Sequence, residues 1–340
     1  MSEAIQLPPR DPRGHKGTFG TVVVVGGCAH SPRMIGAPAL AARGAVRAGA
    51  GLVRVLSPAP IVDAVLGLCP WATGWALPTD ASGQLVPHEA TRCIDEQQPD
   101  RLGVLRGPPR VCLAIGPGLG RGGGVDAAVM RAITQDWSPV VVDADALNAL
   151  ADMPEFWRDL RAPAVLTPHP GEFRRLARAM GLDANELADV AARERAAREM
   201  ASRLGCVVVL KGAGTVVCDA LNTWTCTRGN PCMATGGTGD VLTGVIAALV
   251  AQHTAFGGVG GALVAGVTPL PANIAERLRR FAPEKLTPPS AALSLFQVAC
   301  AGVEAHARAG ERWAATKGCD AGMLPSELAD EVPAAIASLR

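Results

Sequence analysis

Residues 21–56 read TVVVVGGCAHSPRMIGAPALAARGAVRAGAGLVRVL. The β-branched run Thr21–Val25 stops at Gly26-Gly27, an Ala-rich segment fills Ala37–Ala48, and Leu52–Leu56 (LVRVL) starts a second apolar run. A short apolar run bounded by glycines fits a covered strand, and the stretch between the two runs is long enough for a crossover helix. The segment therefore predicts a βαβ unit, the building block of a parallel sheet with helices on its faces.

The same rhythm continues outward. Val111–Ile115 (VCLAI) runs into Gly116–Gly120 (GPGLG) and a helical Val125–Ile133. Val140–Val142 leads to Asp143, Ala164–Thr167 to a helix beginning near Gly171, and Cys206–Leu210 (CVVVL) to Lys211. Thr215–Cys218 and Thr223–Cys226 then predict an antiparallel pair turned at Leu221-Asn222. A glycine-rich loop, an apolar helix over Asp240–Gln252 and two closing helices are expected to follow. Residues 253–290 are rich in Gly and Pro and read as an inserted loop, with a basic helical turn or two around Ala275–Arg280. No composition break or internal repeat divides the chain, so residues 1–340 are expected to form one α/β domain.

Composition narrows the function. Thirty-two Lys+Arg against 31 Asp+Glu leave a net charge of +1, without the basic surplus expected of a nucleic-acid or anionic-membrane binder. Tyrosine is absent and aromatics make up 4%, which argues against base- or sugar-stacking platforms. Ten cysteines form no C-x-x-C pair, as expected in a reducing, cytoplasmic compartment. No secretory leader is visible at the N-terminus. Val241–Ala275 lacks Asp, Glu, Lys and Arg, but its uninterrupted part, Val241–Ala251, falls short of the roughly 20 residues of a spanning helix.

Ligands of such sheets bind at the carboxyl ends of the strands, so the loops after strands matter most. Gly118, Gly120 and Gly123 spell G-x-G-x-x-G between a strand and a helix, with Asp143 twenty residues beyond Gly123. That satisfies a loose dinucleotide fingerprint, although a tight structural turn explains the glycines better. Gly236-Gly237-Thr238-Gly239-Asp240 is more specific. Residues without Cβ let amide N–H groups converge on an anion, and the helix that follows adds its partial positive charge. Asp240, expected to stay ionised in the first turn, is then placed to act as a base. Lys211-Gly212-Ala213-Gly214-Thr215, taken alone, reads as a hairpin turn with an exposed lysine.

Taken in order, His15-Lys16-Gly17, Gly36-Ala37, Gly116–Gly120 (GPGLG), Asp143–Asn148 (DADALN), Thr167–Glu172 (TPHPGE), Lys211–Thr215 (KGAGT) and Asn230–Gly244 (NPCMATGGTGDVLTG) resemble the NAD(P)H-hydrate dehydratase family. This is the carboxyl-terminal half of the bifunctional hydrate-repair enzymes, within the ribokinase-like superfamily. The match runs from about residue 14 to 252, and more weakly over the closing helices. It implies a ribokinase-like fold with a mainly parallel central sheet covered by helices on both faces.

By resemblance, the chain is a hydro-lyase that restores hydrated NADH or NADPH at the expense of ADP, or of ATP, with Mg²⁺. Ala37, Gly118, His169 and Asp240 would then line the hydrated nicotinamide, with Asp240 as the catalytic base. Lys211, Gly212, Ala213, Gly214, Thr215 and Gly239 would hold the nucleotide. Gly236, Gly237, Thr238 and Gly239 would form the anion hole, and Glu172 would serve the metal through phosphate or water. His169 reads equally well as a structural residue of its P-H-P-G turn. The resemblance also implies a homo-oligomer, a tetramer, with the epimerase supplied by a separate chain. Cys232 stands where the family has glycine, which is expected to alter that loop slightly. A ribokinase-like small-molecule kinase and a non-catalytic nucleotide-binding regulator are the rival readings.

Overall fold

The computed structural model describes residues 5–99, 110–183, 187–254 and 292–340. Among the described residues, nine strands form one sheet: β1 (Thr21–Val25), β2 (Leu52–Pro58), β3 (Thr73–Leu77), β4 (Val111–Ile115), β5 (Val140–Val142), β6 (Ala164–Leu166), β7 (Val207–Leu210), β8 (Val216–Cys218) and β9 (Thr223–Thr225). Their order is β3-β2-β1-β4-β5-β6-β7-β8-β9, parallel from β3 to β7 and antiparallel over the last two pairings. The β8–β9 hairpin turns at Asp219–Asn222, where the Asp219 carboxylate accepts the amide protons of Leu221 and Asn222.

Alternation along the strands sends side chains into two cores. Val22 and Val24 enter one, and Val23 and Val25 the other, all fully buried. The first core lies under α1 (Gly36–Arg47), α2 (Val62–Leu68), α8 (Thr238–His253), α9 (Leu295–Lys317) and α10 (Pro325–Ala337). The second lies under α3 (Pro87–Asp95), α4 (Gly123–Thr134), α5 (Ala144–Asp152), α6 (Pro170–Ala179) and α7 (Val190–Leu204). Both faces are covered, as a run like TVVVV requires.

Helix α8 is apolar all round because every residue from Val241 to Gln252 is buried. It lies against α1 almost backbone to backbone. A Cβ at Gly244 would stand 1.9 Å from Ala41 O, and one at Gly44 would stand 2.3 Å from Val241 O. This contact fixes where the amino end of α8 points. The helix starts two residues earlier than expected, placing Gly239 and Asp240 together in its first turn.

α2, β3, α3, α5 and α7 were not foreseen as elements. The anticipated basic turns at 275–280 and nearly all of the 253–290 insert lie outside the described residues. His253 ends α8, and its carbonyl accepts the N–H of Leu293, so the chain on either side of 255–291 meets. Among the described residues, no helix is long and apolar enough to cross a membrane.

Candidate active site

Five parallel strands deliver their following loops to one end of the sheet: Gly26-Gly27 after β1, Gly116–Gly120 after β4, Asp143 after β5, Thr167–Glu172 after β6 and Lys211–Thr215 after β7. The amino terminus of α8 points to the same place. Lys211 Nζ sits 2.7 Å from Asp143 Oδ1 and 4.0 Å from Glu172 Oε2, and an ideal Cβ on Gly239 would lie 3.5 Å from that nitrogen.

Asp143 is 1% exposed and fully engaged, since Thr243 Oγ1 donates to its other oxygen at 2.6 Å. The dinucleotide reading needs this acid free for a ribose; here it anchors a lysine. The exposed-lysine reading of Lys211 fails for the same reason. Burial alone would pull the Lys211 ammonium down, but Asp143, Glu172 and Asp240 hold it above the ordinary lysine value. Close approach of β4 and β5 explains Gly116, whose φ is +121° and whose Cβ would stand 1.8 Å from Asp143 O.

Asp240 shares this cluster but has no ion pair or hydrogen bond to its carboxylate among the described residues. Burial, followed by repulsion from Asp143, Asp145 and Glu172, pushes its pKa up to about 7 against the attraction of Lys211. An acid in the first turn of a helix is expected to be ionised. Desolvation and neighbouring acids override that, and they leave a carboxyl poised near neutral pH, where a general base works best.

Gly237, with φ +99°, is the residue before the first turn of α8. Leu40 and Pro325 crowd the place a Cβ would take there, at 2.7 and 2.9 Å. Thr238 Oγ1 donates back to Thr235 O at 2.9 Å, closing the turn. The amides of Gly236, Gly237, Gly239 and Asp240 have no acceptor among the described residues, so this turn presents donors and a helix dipole. His306 of α9 lies beneath it, with Nε2 2.8 Å from Thr238 O. Burial depresses its pKa to about 4, so the imidazole is neutral and donates that bond.

His169 has a structural part in its turn while its side chain stays half-exposed. Its Nδ1 accepts the N–H of Gly171 at 2.9 Å and caps α6, while Glu172 Oε2 accepts the His169 N–H at 2.8 Å. That capping box occupies Glu172, which is buried; desolvation raises its pKa despite Lys211. Ala37 and Gly118 do come together, with Cβ positions 3.0 Å apart, but Gly118 is buried beneath Met34 and Ala37. Cys232 turns away from the loop: it is 2% exposed, and its Sγ lies 3.5 Å from Gly310 O and 3.8 Å from Met323 Sδ.

Thr243, Asp145 and His306 are site residues that sequence reasoning missed. Asp145 accepts the N–H of Gly120 at 2.9 Å and so ties DADALN to GPGLG. Thr243 carried a readable signal, since it stands one helical turn beyond Gly239-Asp240 on the same face. His306 carried none, as it comes from a helix near the end of the chain.

No cluster of three or more His, Cys, Asp or Glu suited to a metal occurs among the described residues. The carboxylates here already surround an ammonium, so the protein alone does not form a Mg²⁺ cage. An ion that keeps its waters and is held mainly by substrate phosphates would suit this end of the sheet.

Residues 22–334 match the family model described as NAD(P)H-hydrate dehydratase. The ADP-dependent (S)-NAD(P)H-hydrate dehydratase of Bacillus subtilis is 37% identical over 253 residues, covering 73% of this chain and 78% of that protein. The bifunctional NAD(P)H-hydrate repair enzyme Nnr of Salinibacter ruber is 39% identical over 247 residues, covering 72% of this chain and 42% of that protein. This chain thus matches less than half the length of such bifunctional relatives. Among solved structures, the B. subtilis ADP/ATP-dependent NAD(P)H-hydrate dehydratase co-crystallised with ATP/Mg²⁺ superposes with a TM-score of 0.69 at 28% identity, covering 98% and 95% of the two chains. A ribokinase-like superfamily protein of Enterococcus faecalis superposes at 0.66 and 22% identity, covering 98% and 92%, and supports the ribokinase-like fold alone.

Proposed function

We propose, because this chain belongs to the NAD(P)H-hydrate dehydratase family, that it restores hydrated NADH or NADPH by phosphorylating the C6 hydroxyl and eliminating phosphate, with ADP as donor. The observation that carries this reading is the meeting of Asp240, Lys211 and the open amides of Gly236, Gly237, Gly239 and Asp240 at one end of the sheet; the Thr238 amide, expected in the anion hole, donates instead to Thr235 O. A hydroxyl is a poor leaving group and a phosphate ester a good one, so an enzyme that transfers a phosphoryl group can drive the dehydration.

Asp240 takes the proton from the C6 hydroxyl as its oxygen attacks the terminal phosphorus, and the nucleotide leaves one phosphate shorter. The amides at Gly236, Gly237 and Gly239 bind the charge that gathers on the transferred group. The ring-nitrogen lone pair then expels phosphate from C6, and loss of a proton from C5 completes the double bond. Lys211, Gly212, Ala213, Gly214 and Thr215 hold the nucleotide beside Gly239. Ala37, Gly118 and the exposed edge of the His169 ring lie on the substrate side. Glu172 would face, through water, a Mg²⁺ ion held mainly by those phosphates, and the ion would supply charge to offset theirs.

The reading also includes a single ribokinase-like unit whose insert leaves and rejoins beside His253 and Leu293. A homo-oligomer is part of it, as is a cytoplasmic location, supported by the ten free cysteines.

The test is product analysis after incubating the protein with hydrated NADH, Mg²⁺ and either ADP or ATP. Reduced cofactor with free phosphate is expected. A stable phosphate ester would instead make the chain a small-molecule kinase, and no turnover with bound nucleotide would make it a regulator.

A further inference from the structure

The Lys211–Thr215 loop is shaped from below by a residue that none of its motifs includes. Arg193, in the first turn of α7, is 8% exposed and forms no ion pair among the described residues. Its guanidinium is spent on main-chain carbonyls. Nη1 donates to Ala213 O at 2.6 Å, and Nη2 donates to Leu210 O at 3.0 Å and Lys211 O at 3.1 Å. Gly212 O, between them, accepts from Thr215 Oγ1 at 3.0 Å. Every carbonyl from 210 to 213 is thereby held by a side chain of the protein.

Two consequences follow from that geometry. A chain whose carbonyls are drawn inward turns N–H groups outward, and the amides of Ala213 and Gly214 find no acceptor among the described residues. Successive outward amides of this kind suit an anion. The second concerns charge. A buried guanidinium is ordinarily matched by an acid, whereas here only carbonyl dipoles answer it and Nε is left unpartnered. Its uncancelled charge lies directly behind the outward amides. Gly212 fits this arrangement: its φ is +147°, and a Cβ there would stand 2.8 Å from Arg193 Nη2.

We infer that Arg193 is the positioning residue of the nucleotide loop. It holds the carbonyls of residues 210, 211 and 213 inward, so that the loop offers N–H donors and positive charge to the phosphates of a nucleoside di- or triphosphate. The inference rests on the assignment of Lys211–Thr215 to the nucleotide. The substrate side of the site, around Ala37 and Gly118, does not depend on it.

The test combines calorimetric titration of the full chain with ADP and steady-state kinetics on hydrated NADH, for wild type, Arg193→Met and Arg193→Lys. Arg193→Met keeps the length of the side chain and removes the charge and the fork. ADP binding and the KM for ADP should both weaken by about tenfold or more, the scale of losing one charge-assisted contact, while the KM for the hydrate stays within about threefold. Arg193→Lys, which keeps the charge without the fork, should recover part of the loss. ADP binding by Arg193→Met equal to that of wild type would overturn the inference. So would equal losses toward ADP and hydrate in both variants, because general packing damage would then account for them. A wild-type chain that binds no ADP would remove the loop assignment itself, an outcome distinct from wild type and Arg193→Met binding alike.

Discussion

Replacing Asp240 by Asn keeps the shape of the side chain and removes its ability to accept a proton. With a pKa of about 7, the wild-type carboxyl is half protonated at neutral pH. Only about a tenth of the free enzyme would hold it as base at pH 6, and about nine-tenths at pH 8. Wild-type kcat/KM for the hydrate, at saturating nucleotide, should therefore climb about tenfold between those values and level off above them. Asp240→Asn should lose about 10²–10⁴-fold and show no such limb. Return of reduced nicotinamide absorbance, followed across the pH range for both proteins, measures this.

The same substitution has a stability signature of opposite sign. A carboxyl whose folded pKa lies above its unfolded value of 3.8 binds a proton more tightly in the native state, so wild-type stability falls as pH rises from about 4 to 7. Above that window the folded protein carries the full penalty of a buried, repelled anion. A shift of about three units sets a ceiling of roughly 4 kcal/mol, which partial solvent access lowers to about 1–3 kcal/mol. Asp240→Asn should therefore unfold at higher denaturant than wild type at pH 8, with the gap closing toward pH 4. A variant that turns over within about tenfold of wild type and keeps the pH limb would refute the assignment of Asp240 as base.

Lys211→Ala leaves Asp143 buried with only Thr243 as donor. It should cost about 3–5 kcal/mol in denaturant unfolding and weaken ADP binding in titration; unchanged ADP affinity would return Lys211 to a purely structural role. Cys232→Gly should lose about 1–2 kcal/mol, because its side chain fills the space between Gly310 and Met323, with turnover within about threefold of wild type. A large fall in kcat there would mean that the thiol reaches the anion loop after all. His306→Leu strips the donor from Thr238 O and should cut kcat by about tenfold, while His306→Gln, which can still donate, should recover most of it. Equal loss in both would assign His306 to packing.

Much of the fold was legible because the central strands are short β-branched runs closed by glycine. TVVVV, VCLAI, Val140–Val142 and CVVVL mark β1, β4, β5 and β7 to within a residue. β3 was invisible, since Thr73–Leu77 (TGWAL) is a partly exposed edge strand with a glycine in it and needs no apolar run. Helix α7 was missed because Val190–Leu204 (VAARERAAREMASRL) is dense in charge and shows its apolar face only once packed. In the site, loops that follow strands announced themselves by glycine. What stayed hidden was pairing across the chain: Lys211 with Asp143, Asp143 with Thr243, Thr238 with His306, and Leu210, Lys211 and Ala213 with Arg193. Such contacts depend on which helix lands beside which loop, and no local pattern records that.

The proposed reaction requires that phosphorylation of the hydrate be followed by elimination on the same protein. The decisive quantity is the ratio of reduced cofactor regained to inorganic phosphate released, with hydrated NADH, Mg²⁺ and ADP. One phosphate and one shortened nucleotide are expected for each NADH recovered. Nucleotide consumed without recovery of NADH, or recovery of NADH without nucleotide, would contradict it.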